Sequence, residues 1–189
     1  MLEGVLDDVF GFELLQLGSW GGSRALLSRS RTRRQTLLAE QPLPGVVDVV
    51  GRCGALPLQS HGVDAVLLPH TLEFAADPQS VIREAHRVLT GEGQLLIVGF
   101  RPWSLWGLRA LFRRGLPEGF RQVLPERRVR DWLSVLGFEL LAPGGPRPPG
   151  GYLIRARKRL YTMTPIRPRA RARQQSVGAL AEPTTRNPS

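Results

Sequence analysis

The sequence is short of several things, and each shortage excludes something. It holds one cysteine, Cys53, among 189 residues. A single thiol closes no disulfide and builds no thiolate metal cage, so the chain reads as a cytoplasmic protein of a reducing compartment. Met1 to Phe10 carry Glu3, Asp7 and Asp8 and no basic cluster, which is not the pattern of a secretory signal. No apolar run approaches the roughly 20 residues that a membrane-spanning helix needs. Three histidines without metal-ligand spacing argue against a metal site. Lysine is almost missing: Lys158 is the one lysine among 26 basic residues.

What is present fits one ordinary domain. A hydrophobic share of 42% is enough for a sizeable core. The net charge of +10 is unevenly spread. Residues 155–189 hold nine basic groups and one acidic group, whereas the rest of the chain holds 17 and 15. The basicity therefore belongs to the tail, which argues against a nucleic-acid-binding domain. We expect a domain over 1–159 and a disordered basic tail over 160–189, because the tail has too little apolar surface to offset the entropy of ordering it. Arginines from Arg167 to Arg173 can meet phosphates, but no aromatic residue lies between them for base stacking. The nucleic-acid reading of the tail is weaker than that of an electrostatic appendage.

Apolar runs predict strands at Glu13–Leu17, Gln35–Ala39, Val46–Val50, Val63–Leu68, Gln94–Phe100, Phe138–Ala142 and Tyr152–Ala156. Asp77 and Pro78 predict the N-cap and first position of a helix that Gly91 ends. Arg127 to Leu136 predicts a second helix, and Arg24 to Ser28 a short one. Strands alternating with helices define an α/β class: a Rossmann-like, doubly wound, mostly parallel sheet with an antiparallel edge hairpin. It is shortened at its N-terminus and between strands 2 and 3. The Glu40 to Gly45 link is too short for a helical crossover, so the third strand is expected to be irregular or differently paired.

In such a sheet the ligand lies at the carboxyl ends of the central strands. Gly18-Ser19-Trp20-Gly21-Gly22 follows the first strand, and glycines there let a cofactor approach the backbone. A plain tight turn is the bland alternative. Glu40 ends the second strand, where a carboxylate can accept both hydroxyls of a ribose, or simply stand solvated.

Leu56-Pro57-Leu58, Val63-Asp64, His70, Asp77-Pro78, Glu84, Arg87-Val88-Leu89, Gly91 and Gly93 form a long ordered pattern. In it the chain resembles the class I SAM-dependent methyltransferases of the type 11 domain family. Pro102 to Trp106 is similar to a Pro-Trp-Ser-Leu-Trp segment in a bacterial subgroup. The resemblance implies S-adenosyl-L-methionine as cofactor, with Gln16, Gly18, Trp20 and Gly22 facing its methionine part and Glu40 holding the ribose. Arg52 and Cys53 would flank adenine, and Leu68 to His70 would line the other side. The chain departs from the family pattern at three places. Gln16 replaces an acid, Trp20 a glycine, and Arg52 an aspartate.

Methyl transfer needs alignment above all, and a base where the acceptor must lose a proton. His70 is the candidate catalytic base; a pocket-lining or capping imidazole is the competing reading. Trp103 and Trp106, interleaved with arginines, are expected to form a lid over an apolar or aromatic small-molecule acceptor. Such a segment can also rest on a membrane surface, or pack as an ordinary helix on the sheet edge. The alternative to an enzyme is a catalytically degenerate scaffold that binds protein partners or RNA.

Overall fold

The computed structural model describes residues 11–20, 24–102, 118–142, 148 and 150–160. Gly22, Trp103, Trp106 and the basic tail lie outside them. Among the described residues seven strands form one sheet: β1 (Glu13–Leu17), β2 (Arg34–Ala39), β3 (Val49–Val50), β4 (Val63–Pro69), β5 (Leu89–Phe100), β6 (Phe138–Leu141) and β7 (Gly151–Lys158). Their order is β3-β2-β1-β4-β5-β7-β6. The first five pair in parallel. β7 runs antiparallel to β5 and to β6, which makes the expected edge hairpin. The strand order reverses between β1 and β4, and there the loops part to leave a crevice.

Among the described residues three α-helices accompany the sheet: α1 (Thr71–Phe74), α2 (Pro78–Val88) and α3 (Glu126–Val135). The cap of α2 forms as its sequence predicts, with the Asp77 carboxylate accepting from the Gln79 and Ser80 N–H groups. Val81, Ile82, Ala85 and Val88 are buried at helical spacing. Gly137 ends α3 with a left-handed φ of 82°.

The even and odd positions of the strands feed two cores, one on each face. Leu15, Leu17, Leu68 and Ile97 pack with α2 and with Val129 and Leu133 of α3. Leu14, Leu37, Leu67 and Leu96 form the other cluster, joined by Leu27 and half-buried Leu26, Val46 and Val47. Among the described residues, both long helices therefore serve one face.

The structure corrects four expectations. The third strand shrinks to Val49–Val50, because Val46 and Val47 turn on the Leu43 carbonyl and cover the second core instead. A link without a helix still allows parallel pairing, since β3 meets only the end of β2, at Leu38 and Ala39. The short helix over Arg24–Ser28 becomes a single 3-10 turn, Leu27–Arg29. Gly91 does not end α2: the helix stops at Val88 and Leu89 enters β5 directly. A register shift between Val63 and Ala65, with Glu92 at φ 65°, absorbs the extra residues.

Candidate functional site

At the carboxyl ends of β1, β2 and β4 lies an open cleft of about 680 Å³. Its walls include Gly18, Trp20, Glu40, Cys53, His70 and Phe74. A volume of roughly 300–1,000 Å³ is usual for small-molecule sites. A second hollow of about 370 Å³ adjoins it, and Glu40, Phe74, Ala75 and Arg121 border both.

The Gly18 loop is held from three sides. Gly18 donates its N–H to the Leu38 carbonyl at 2.8 Å and accepts from the Gln16 amide at 2.9 Å. Its φ is 90°, and a Cβ there would sit 3.0 Å from the Thr71 hydroxyl. That hydroxyl in turn donates to the Leu17 carbonyl. A glycine is required at this corner.

Trp20 takes a place on the wall and leaves the cleft open. Its ring centroid is 4.5 Å from His70, 5.6 Å from Phe74 and 5.5 Å from Phe100. His70 stacks on Phe100 at 4.0 Å, so the imidazole, Trp20 and Phe100 form one aromatic cluster. Its backbone is left-handed (φ 57°, ψ 15°) and its N–H donates to the Val98 carbonyl at 2.9 Å. Such a conformation costs a non-glycine residue about 1–2 kcal/mol and is typical of functional corners.

The structure thus brings Gly18, Trp20, Glu40, Cys53 and His70 together. It separates others. Gln16 is fully buried beneath the loop, with its Oε1 lacking a hydrogen-bond partner. Leu68 is fully buried in the core, and Pro69 beside it lines the cleft. Arg52 borders the second hollow, not the first. Burial, and then the charge of Glu40, push the Cys53 thiol up to about 12, which makes it an inert wall.

Sequence reasoning missed Thr71, Phe74 and the 118–121 segment as parts of the cleft. It had, however, noticed the Leu56-Pro57-Leu58 turn, Glu84 and Arg87 as one pattern, and the structure gives the reason. Glu84 accepts the Leu56 N–H at 2.8 Å. Arg87 grips Glu84 through two nitrogens and donates to the Leu56 and Leu58 carbonyls. One ion pair on α2 therefore moulds the turn that follows β3.

A sheet of this order, with its cleft at the reversal, is the fold of the class I SAM-dependent methyltransferases. Residues 23–97 match the methyltransferase domain family model. The uncharacterized protein YafS of Escherichia coli is 37% identical over 136 residues, covering 70% of this chain and 55% of YafS. The chain spans about half the length of the curated relatives it matches. A SAM-dependent methyltransferase of Thermotoga maritima superposes with a TM-score of 0.64 at 20% identity, covering 84% of this chain and 87% of that one. The [4+2]-cyclase SpnF does so with a TM-score of 0.60 at 20% identity, covering 84% and 77%. The fold thus accommodates more than one chemistry.

Proposed function

We propose that the chain is a SAM-dependent methyltransferase acting on an apolar or aromatic small molecule. The observation that carries this reading is the cleft of about 680 Å³ that stays open with the Trp20 indole in its wall. The donor set also suits the cofactor. Glu40 is exposed at the carboxyl end of β2, ready to accept two ribose hydroxyls. Ala39, Cys53 and Ala75 offer an apolar wall to a flat base. The Gly18 corner lets the methionine part lie against backbone. When bound, SAM supplies a methyl group already activated on a sulfonium.

The remaining work belongs to the chain. Trp20 and Phe74 line the cleft with aromatic side chains, which favour a flat or apolar acceptor. His70 stands on the same wall, where an imidazole can take a proton from a hydroxyl or amine acceptor. Clamping the reactants in line can be worth about 7–11 kcal/mol in favourable cases.

One observation favours a second reading, a scaffold that has lost its cofactor. The Gln16 amide donates one N–H to its own loop at Gly18, and the residue is fully buried rather than presented to the cleft. Calorimetric titration with S-adenosylhomocysteine separates the two. The enzyme reading expects a Kd in the micromolar range, weakened about ten- to hundredfold in Glu40→Ala by the loss of charge-assisted hydrogen bonds. No detectable heat with the unaltered chain would leave the scaffold reading standing.

A further inference from the structure

The polar group that the cleft does not account for is Glu73. It lies on α1, is fully buried, and has no lysine or arginine paired with it among the described residues. Its Oε1 accepts the Phe100 N–H at 2.8 Å, while its Oε2 is buried without a hydrogen-bond partner. A carboxylate taken out of water and left uncompensated is costly, so its surroundings must hold a proton or a cation for it. The nearest such group is the His70 imidazole. Nδ1 of His70 is 3.7 Å from Oε1 of Glu73, is itself buried, and has no hydrogen-bond partner. The same ring lines the cleft. With Nδ1 turned inward to Glu73, the opposite nitrogen, Nε2, is the one the cleft can reach.

We propose that Glu73 and His70 form a dyad in which the buried carboxylate keeps a proton on Nδ1 and leaves Nε2 a bare acceptor facing the cleft. Glu73 is then a positioning residue, since it does not itself line the cleft. A separation of 3.7 Å is longer than a hydrogen bond, but such contacts commonly tighten when a site fills. Contacts with Trp20 and Phe100 hold the imidazole in place. Tyr152 supports the arrangement. Its ring crosses β5 where Gly99 has no side chain, and its hydroxyl is buried with no hydrogen-bond partner. Burial, and then the charges of Glu73 and Glu126, keep that hydroxyl protonated. Glu73 therefore has an uncharged neighbour on that side and no rival cation among the described residues.

The dyad's use in methyl transfer rests on the function proposed above. For an acceptor X–H in the cleft, the X–H bond breaks and the proton passes to Nε2. The electron pair stays on X and forms the bond to the methyl carbon, while the pair of the broken C–S bond remains on sulfur. The imidazolium so formed is balanced by Glu73, in surroundings where that attraction is little screened. Its extra proton later leaves to water.

Long-range proton–nitrogen NMR of the 15N-labelled chain reads the imidazole tautomers directly, and three histidines make assignment simple. The expected result is a His70 with its proton on Nδ1 and an unprotonated Nε2. In Glu73→Gln, which keeps the volume and an acceptor for the Phe100 N–H, the tautomer ratio should move by about tenfold or more. A proton found on Nε2 in the unaltered chain would overturn the dyad, and so would an unchanged ratio in Glu73→Gln. Should that variant fail to fold, the tautomer of the unaltered chain still decides. S-adenosylhomocysteine affinity should stay within about twofold in Glu73→Gln, because Glu73 lines no part of the cleft. Absence of binding by the unaltered chain would count against the methyltransferase reading alone, since the tautomer is measured without ligand.

Discussion

Trp20 lays its indole against the His70 imidazole, with 4.5 Å between ring centroids and 45° between their planes. A large ring where the family has a glycine has two opposite consequences, depending on where it points. As a plug it would compete with the cofactor. As a wall it gives the ligand a face to rest on and keeps His70 in place. The position seen is that of a wall. Trp20→Ala should therefore weaken S-adenosylhomocysteine binding, by about 1–2 kcal/mol for the lost ring contacts. Calorimetry showing tighter binding in the variant would make Trp20 a plug after all.

The Glu84–Arg87 pair shapes the cleft from farther away. Arg87 first, and then the Leu56 N–H, hold the Glu84 carboxyl below its ordinary value, against the opposing effect of burial. A lowered folded-state value means stabilisation that is complete above the unfolded pKa of about 4.5 and is lost as pH falls through the lower folded value. Glu84→Gln should lose about 1–2 kcal/mol at neutral pH. That deficit should shrink when urea unfolding is repeated at a pH below 4.5, as the carboxylate takes up its proton. A deficit independent of pH would mean that the charge of Glu84 contributes nothing.

Cys53 gives a chemical reporter of the same cleft. With its thiol pushed up to about 12, only about one molecule in ten thousand carries the thiolate at pH 8, against roughly a quarter for a free thiol. Alkylation by iodoacetamide should be at least about a hundredfold slower in the folded chain than in urea. Rapid labelling of the folded chain would show that the cleft wall opens on the timescale of the reagent.

Much of this architecture was legible in the chain because burial on both faces leaves continuous apolar runs. β1, β2 and β4 begin and end within a residue of expectation, and Asp77-Pro78 marks the start of α2. The third strand was misread for a physical reason. Val46 and Val47 look like strand residues, yet their apolar side chains serve as cover for the second core. α1 was invisible because four residues make too short a period to detect. With it went Glu73, a charged residue between Leu72 and Phe74 whose burial depends on β5 and the 121–122 backbone. The glycine corner and Glu40 follow from strand ends, His70 from a strand end and the family pattern together, and the structure brings them to one cleft. Arg52 and Leu68 were assigned by position in a motif, which does not say which way a side chain turns.

At the opposite end of the sheet, Lys158 offers a test of how burial is balanced there. The residue is 6% exposed, and its Nζ donates to the His86 and Leu89 carbonyls at 2.7 Å each. The His61 imidazole lies 3.2 Å away through Nδ1. Two opposing effects meet. The carbonyls at the end of α2 attract a cation, while burial lowers the lysine pKa from 10.5. A lowered value means that the unfolded chain binds the proton more readily, so stability rises with pH between the folded value and 10.5. Lys158→Met removes the donor from two carbonyls, at a cost of about 1–3 kcal/mol, and also removes the titrating group. The variant should therefore be less stable at pH 7 and fall further behind by pH 10, as followed by denaturant unfolding. Burial lowers the pKa of His86, which faces the same amine, from its ordinary 6.5 and so away from this window. Two stability curves that stay parallel from pH 7 to 10 would show that the ammonium is hydrated enough to escape the burial penalty.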